Sequence, residues 1–429
     1  MRKLTAALAL TISLAAPAPA QETRPVPDSA DHSSLDLGIR GVGLSLGNSA
    51  RWNGLRINLV DHGLERVNGI NLTLWKPREN PRAVINGAAI GLAAPVAREI
   101  NGIALGLGAV VTEERARGLK AGGLAVVSGG AASGISVAGV ALVAEGKLTG
   151  LNIGGLATVS DGAMHGVNLS GVAVVAEDEM RGINLSGIAT VAQGSMVGLN
   201  IAGLATVSQG GMYGLNVAGL GTVAQRGMAG LNLAGLATVA NGDMLGINIA
   251  GLGTVAEGDM LGFNFGGAGV VAQGDLRWIS VAGLGAVAQG ELRGLSVAGL
   301  GVVGEEGITG IAVGGLAVVG TDEPIRGLAL SLGAVESRAA VRGIAVAGYR
   351  IKSPEVTGIA VSPTWVRADD LTGVAIAGYN QVRGTQHGLS IGIFNYAREL
   401  HGVQIGLLNY AGNNRAGLRW LPLLNAHIE

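Results

Sequence analysis

The chain has 429 residues, 75 of them glycine and none cysteine, with 48% apolar and 14% charged residues and a formal net charge of -1. The absent thiols exclude disulfides, thiolate metal sites, a cysteine nucleophile and a lipid-modified N-terminal cysteine, and a near-neutral chain has no global field to draw in nucleic acid. Glycine at this level without Gly-X-Y spacing excludes collagen, and without Pro and Ser enrichment it does not read as a flexible linker.

Residues 1–20 read as an export signal. Arg2 and Lys3 are a basic start, Leu4 to Ala15 an apolar run, and Ala18-Pro19-Ala20 a small-residue cleavage site before Gln21. The expected address is the periplasm, outer membrane or surface of a bacterium. Residues 21–37, rich in Pro, Asp and Ser, read as a flexible N-terminal segment.

From residue 38 to residue 149 a repeat appears in degraded form, with starts at Gly38, Gly54, Gly69, Gly87, Gly102, Gly118 and Gly134, and with Trp52, Trp75, Lys76, Pro77 and Pro81 in its early units. Residues 150–326 repeat regularly: GLNIGGLATVSDGAMH from Gly150, GVNLSGVAVVAEDEMR from Gly166, GINLSGIATVAQGSMV from Gly182, at a period of 16. Residues 327–429 lose the strict period and form irregular repeats and a cap, with starts at Gly327, Gly343, Gly358, Gly373, Gly388, Gly402 and a partial unit at Gly417. The whole predicts 25 units.

Each unit alternates apolar and polar residues, as in Leu199-Asn200-Ile201-Ala202, then continues through a glycine into a second β-rich run, Leu204-Ala205-Thr206-Val207, and a polar turn. The alternation predicts half-buried strands; in the second run Leu204 and Val207 are three apart, so strict alternation cannot bury both without a bend and the inward face of that run stays open. The charge-free stretch from Gly182 to Gln225 is long enough to cross a bilayer as helix. Glycine in every would-be helical turn rules that out.

Two all-β folds fit. One is a parallel β-solenoid about 120 Å long, with coils stacked at about 4.8 Å. The other is an antiparallel meander closing into a membrane barrel. The barrel predicts a 32-residue super-period and two aromatic girdles, and neither is present, so the solenoid is the expected fold.

In a solenoid identical residues stack. Asn152, Asn168, Asn184, Asn200, Asn216, Asn232, Asn248 and Asn264 form one column, Met164, Met180, Met196, Met212, Met228, Met244 and Met260 a second, and Val159 through Val271 a third. The amides are expected to bond up their column and the methionines to fill the core under the turn. Thr158, Thr190, Thr206, Thr222, Thr238 and Thr254 nearly complete another column, read as β-branched packing in preference to an ice-binding face. Asp243, Asp259, Asp275 and Glu291 also share a column. Calcium between coils is the chemical reading and a hydrated turn edge the favoured one. The histidines His32, His62, His165, His387, His401 and His427 show no ligand spacing. No catalytic or cofactor-binding residues emerge, and the expectation is a non-enzymatic protein without a cofactor.

Toward the end the units GLSIGIFNYARELH from Gly388, GVQIGLLNYAGNN from Gly402 and GLRWLPLLN from Gly417 resemble bacterial exported surface-repeat proteins built from GLQIGLxN-type units. That resemblance implies an envelope address and supplies no catalytic residues. Runs such as VAEGDMLGINIAG are similar in rhythm to the β-roll heads of trimeric adhesins.

The expected function is an exported structural or interaction rod, possible partners being an envelope component, a polymer or another copy of the chain, with peripheral membrane contact. An outer-membrane barrel and a polysaccharide-active β-helix enzyme are the alternatives. Uniform central coils leave selective binding to the ends, Trp52 to Pro81 and Tyr349 to Trp420.

Overall fold

In each regular unit a seven-residue strand, such as Met196–Ala202, leads into a four-residue strand, Ala205–Ser208. Both pair in parallel with their counterparts one unit later, so Met196 lies against Met212, Asn200 against Asn216 and Thr206 against Thr222. The chain is therefore a parallel β-solenoid with a 16-residue coil and not an antiparallel meander. The computed structural model describes residues 33–40, 42–75 and 80–427. The expected export signal at 1–20, the 21–37 segment up to His32, and Lys76 and Pro77 lie outside them.

The stack holds fewer than the 25 coils predicted, because both terminal units do something else. Gly38 lies in the strand Ser34–Ile39, which pairs antiparallel with Val42–Gly47. Gly417 sits in a 3-10 turn, Ala416–Leu418, before the strand Trp420–His427 folds back antiparallel on Gly402–Tyr410. These two reversed strands cover the open edges that a parallel stack would otherwise present for pairing with another chain.

Side-chain direction runs against the usual rule of apolar side chains inward. Asn200 and Ala202 are buried, whereas Leu199 and Ile201 are only half-buried and Leu204 is exposed. Thr206 and Ser208 point inward, and Val207 faces outward. The bore between the strands takes Asn, Ala, Thr and Ser plus one methionine per central coil, with Leu142, Val174 and Val270 standing in the threonine column, while most other Leu, Ile and Val side chains of these coils stand outside. Methionines 164 to 260 are buried, and their column continues as Leu148 before them and Leu276, Leu292 and Ile308 after.

Polar groups in this narrow core need partners. The Asn ladder supplies them: each Nδ2 donates to the Oδ1 of the next coil, from Asn152 to Asn264, at 2.7–2.9 Å. All seven bonds run in one direction, leaving Asn152 Oδ1 and Asn264 Nδ2 unpaired where Ser136 and Ser280 replace the amide. The threonine column is buried too, and so presents no hydroxyl face to water. Thr158 and Thr254 donate to the carbonyls of Leu169 and Phe265, while the Oγ1 atoms of Thr206, Thr222 and Thr238 have no partner.

Two glycine columns make the corners possible. Gly198 has a φ of +117°, and a Cβ there would overlap the Gly182 carbonyl one coil below. At the other corner a Cβ on Gly203 would overlap the Gly187 carbonyl. In the last coils extended backbone runs unbroken for 62 residues, Arg350–Ala411.

Candidate functional site

The outward face of the short strands changes character near the C-terminal end. In the regular rod its outward positions hold Ala or Gly and Val. Following the register through Ala317, Ala334 and Arg350, and through Val319, Glu336 and Lys352, those positions become cationic. One coil on they are Trp365 and Arg367, then Tyr379 and Gln381, then Phe394 and Tyr396.

The rings stack up the rod. Trp365 and Tyr379 stack nearly parallel with centroids 6.3 Å apart, Tyr379 and Phe394 are 4.9 Å apart, and Phe394 meets Trp420 of the capping strand at 5.8 Å. Tyr396 and Tyr410 form a parallel stack at 4.9 Å. The Arg367 guanidinium lies 5.8 Å from the Trp365 ring centroid, within cation–π range.

Beside this ladder a groove of about 410 Å³ is lined by Arg338, Lys352, Arg367 and Arg383, with Glu336 and Asp369. Glu336 is bonded by Arg350. None of the four lining cations has a carboxylate within 4.0 Å among the described residues, and with four cations against Glu336 and Asp369 the lining is net positive. Burial pushes the Tyr379 phenol up and Tyr396 adds to it, against the pull of Arg383 and Arg367.

The acidic column read as possible calcium ligands is bonded within the protein. The Oδ1 atoms of Asp243, Asp259 and Asp275 accept the backbone N–H of Asp259, Asp275 and Glu291 in turn, at 2.7–2.9 Å. Arg277 bridges Asp259 and Asp275, and Arg293 pairs with Glu291. Partial burial works against the Asp275 carboxylate, but the Arg277 and Glu291 hydrogen bonds outweigh it and hold its pKa low. No cluster of three or more His, Asp or Glu suited to a metal occurs among the described residues.

Several features escaped the sequence reading. His387 and His401 stack at 4.9 Å and His427 meets His401 edge-on, so three of the histidines are not scattered. Asn53, Asn68, Asn86 and Asn101 form a second, outward amide ladder, and Asn380, Asn395 and Asn409 a third, buried one. Trp278 occupies a corner that is glycine in the coils on either side, Gly262 and Gly294, with a φ of +87° and 69% of its surface exposed. Among the N-terminal coils, the Arg56 guanidinium is buried in a network with Asp61 and Asn71. Spatially, the C-terminal face is where charge, aromatics and an open groove coincide.

The class of protein defined by this fold is the β-solenoid repeat protein, its C-terminal coils set apart by cations and aromatic rings. The chain matches no protein-family model, no curated protein and no solved structure.

Proposed function

We propose that this chain is a non-enzymatic, exported structural rod of a bacterial envelope, and that it lies lengthwise on a lipid surface. The observation that carries the reading is the corner column Leu124, Val140, Leu156, Val172, Ile188, Leu204, Leu220, Leu236 and Leu252, resumed at Leu284, Leu300 and Leu316, all exposed. Backbone bonds tie each corner to the next, Leu220 N–H to Leu204 O at 2.8 Å for example, so the side chains form a straight ridge. Contiguous apolar surface of this extent marks an interaction face.

A lipid surface suits the ridge better than a protein partner because of what flanks it. In one C-terminal coil the outward order from the corner is apolar, aromatic, cationic, Ile393, Phe394, Tyr396, Arg398, and in another an aromatic corner residue is followed by cations, Tyr349, Arg350, Lys352. Apolar depth, an aromatic belt and then cations is the order of a membrane interface. The apparent export signal at 1–20 and the resemblance of the last units to exported repeat proteins support the envelope address.

Vesicle flotation tests this. The purified chain is expected to float with phosphatidylcholine vesicles, and replacing Leu204, Leu220, Leu236 and Leu252 with serine is expected to weaken flotation at least tenfold without altering the far-UV spectrum. A chain that stays with the unbound fraction and sediments as a laterally paired species would replace the lipid with a second copy.

A further inference from the structure

We propose that the groove between Arg338, Lys352, Arg367 and Arg383 seats the phosphate-bearing headgroup of an anionic lipid. This rests on the lipid-surface reading and adds to it a specific contact at one end of the rod.

The chemistry follows from position. Arg338 and Arg383 come from the turn edge of their coils, and Lys352 and Arg367 from outward positions of the short-strand face, so the four cations converge from successive coils. Their lack of carboxylate partners contrasts with the central turn edge, where Arg277 and Arg293 are each held by acids. An unpaired guanidinium offers a planar fork of donors that matches phosphate oxygens, and an ammonium adds a point charge.

The level of the groove also fits. Leu332 and Tyr349 stand at the corner of the same coils, Leu332 with 83% of its surface exposed, and they would enter the acyl region. Trp365 and Tyr379 lie between corner and groove and would occupy the belt where aromatic side chains gather. The cations then fall at the height of the phosphates.

Binding of the purified full chain to phosphatidylcholine vesicles, with and without a minority of phosphatidylglycerol, tests the proposal at low salt. Each cation near an anionic surface contributes about fivefold to the partition constant, so the pair Arg367→Gln and Arg383→Gln is expected to weaken binding to mixed vesicles about 25-fold and leave binding to neutral vesicles unchanged. Arg226→Gln, an exposed cation on the central turn edge, serves as the control and is expected to change mixed-vesicle binding far less. Melting curves of the variants confirm the fold.

If the double variant binds mixed vesicles as tightly as the parent, the headgroup site is wrong while the lipid-bound rod stands. If the parent binds neither vesicle, the rod reading fails and the site with it. Inorganic phosphate, compared with chloride at equal ionic strength, separates lipid from free anion. Displacement by phosphate alone, with a phosphate-dependent rise in melting temperature that the double variant lacks, would assign the groove to soluble phosphate and overturn the lipid assignment.

Discussion

Asn200 donates its Nδ2 to the Oδ1 of Asn216 at 2.8 Å, and Asn216 passes the same bond on to Asn232. All three amides are buried, so the column is a chain of dipoles aligned along the rod. Removing one link orphans a buried donor on one side and a buried acceptor on the other. Asn216→Ala is expected to cost about 2–4 kcal/mol, read from chemical denaturation, with hydrogen exchange accelerated most in the coils beside the gap. The same substitution at Asn264, which donates to nothing, is expected to cost roughly half as much, since only the Asn248 donor loses its partner. Equal losses at both positions would argue against a cooperative ladder.

The two kinds of glycine in one coil separate on substitution. Gly214 has a φ of +107° and a Cβ there would overlap the Gly198 carbonyl, whereas the nearest atom to a Cβ on Gly221 is the Ala237 carbonyl oxygen at 3.5 Å. Gly214→Ala is expected to lose at least 3 kcal/mol, roughly what positive φ and a backbone collision together impose. Gly221→Ala is expected to be neutral or stabilising by about 0.5 kcal/mol, as the alanines at its register partners Ala205 and Ala237 suggest. Thermal melting of both variants checks the contrast.

The period, the parallel pairing and the membership of each column were readable in the sequence, because stacking at a fixed repeat leaves a mark on every sixteenth residue. The direction of the side chains was not. Alternation in Leu199-Asn200-Ile201-Ala202 says which residues share a face, and the usual rule assigns the apolar face to the core. Here the amides on the inward face satisfy one another and the methionine column already fills the space beside them, so the rule inverts. The cationic groove was hidden for a different reason. Lys352, Arg367 and Gln381 follow one another at 15 and then 14 residues, so a 16-residue ruler slides off the column. Aligning the last units on Gly343, Gly358, Gly373 and Gly388, which all keep positive φ, brings the cations and rings together.

Trp278 sits where the register calls for glycine. A bulky aromatic at positive φ is strained by about 1–3 kcal/mol, and Trp278 recovers little of this by burial because most of it is exposed. Trp278→Gly is expected to raise stability by about 1 kcal/mol after allowing for the greater freedom of glycine in the unfolded chain. A rise in melting temperature with the far-UV spectrum unchanged is the expected result. A fall would mean that the indole's contacts with the neighbouring coils outweigh the backbone strain.

Lys120 stands in the inward column that becomes the Asn ladder further along, between Ala104 and Ser136 in register, and its Nζ donates to the Ser133 carbonyl at 2.6 Å. Burial lowers its pKa from 10.5 to about 8. Below about pH 8 the ammonium is charged in both the folded and the unfolded chain, and the fold bears the full desolvation cost. Between pH 8 and pH 10.5 the folded chain has released the proton while the unfolded chain still holds it, so stability rises with pH through that window and levels off above it. The gain attributable to this group is on the order of 1–3 kcal/mol. Other groups titrate in the same range, and Lys120→Met isolates the contribution by keeping the length of the side chain without its charge. The variant is expected to be more stable than the parent at pH 7, with the difference shrinking as pH climbs toward 10.5. Urea unfolding at three or four pH values measures that difference directly, and a gap that stays constant with pH would show that Lys120 keeps its ordinary pKa inside the rod.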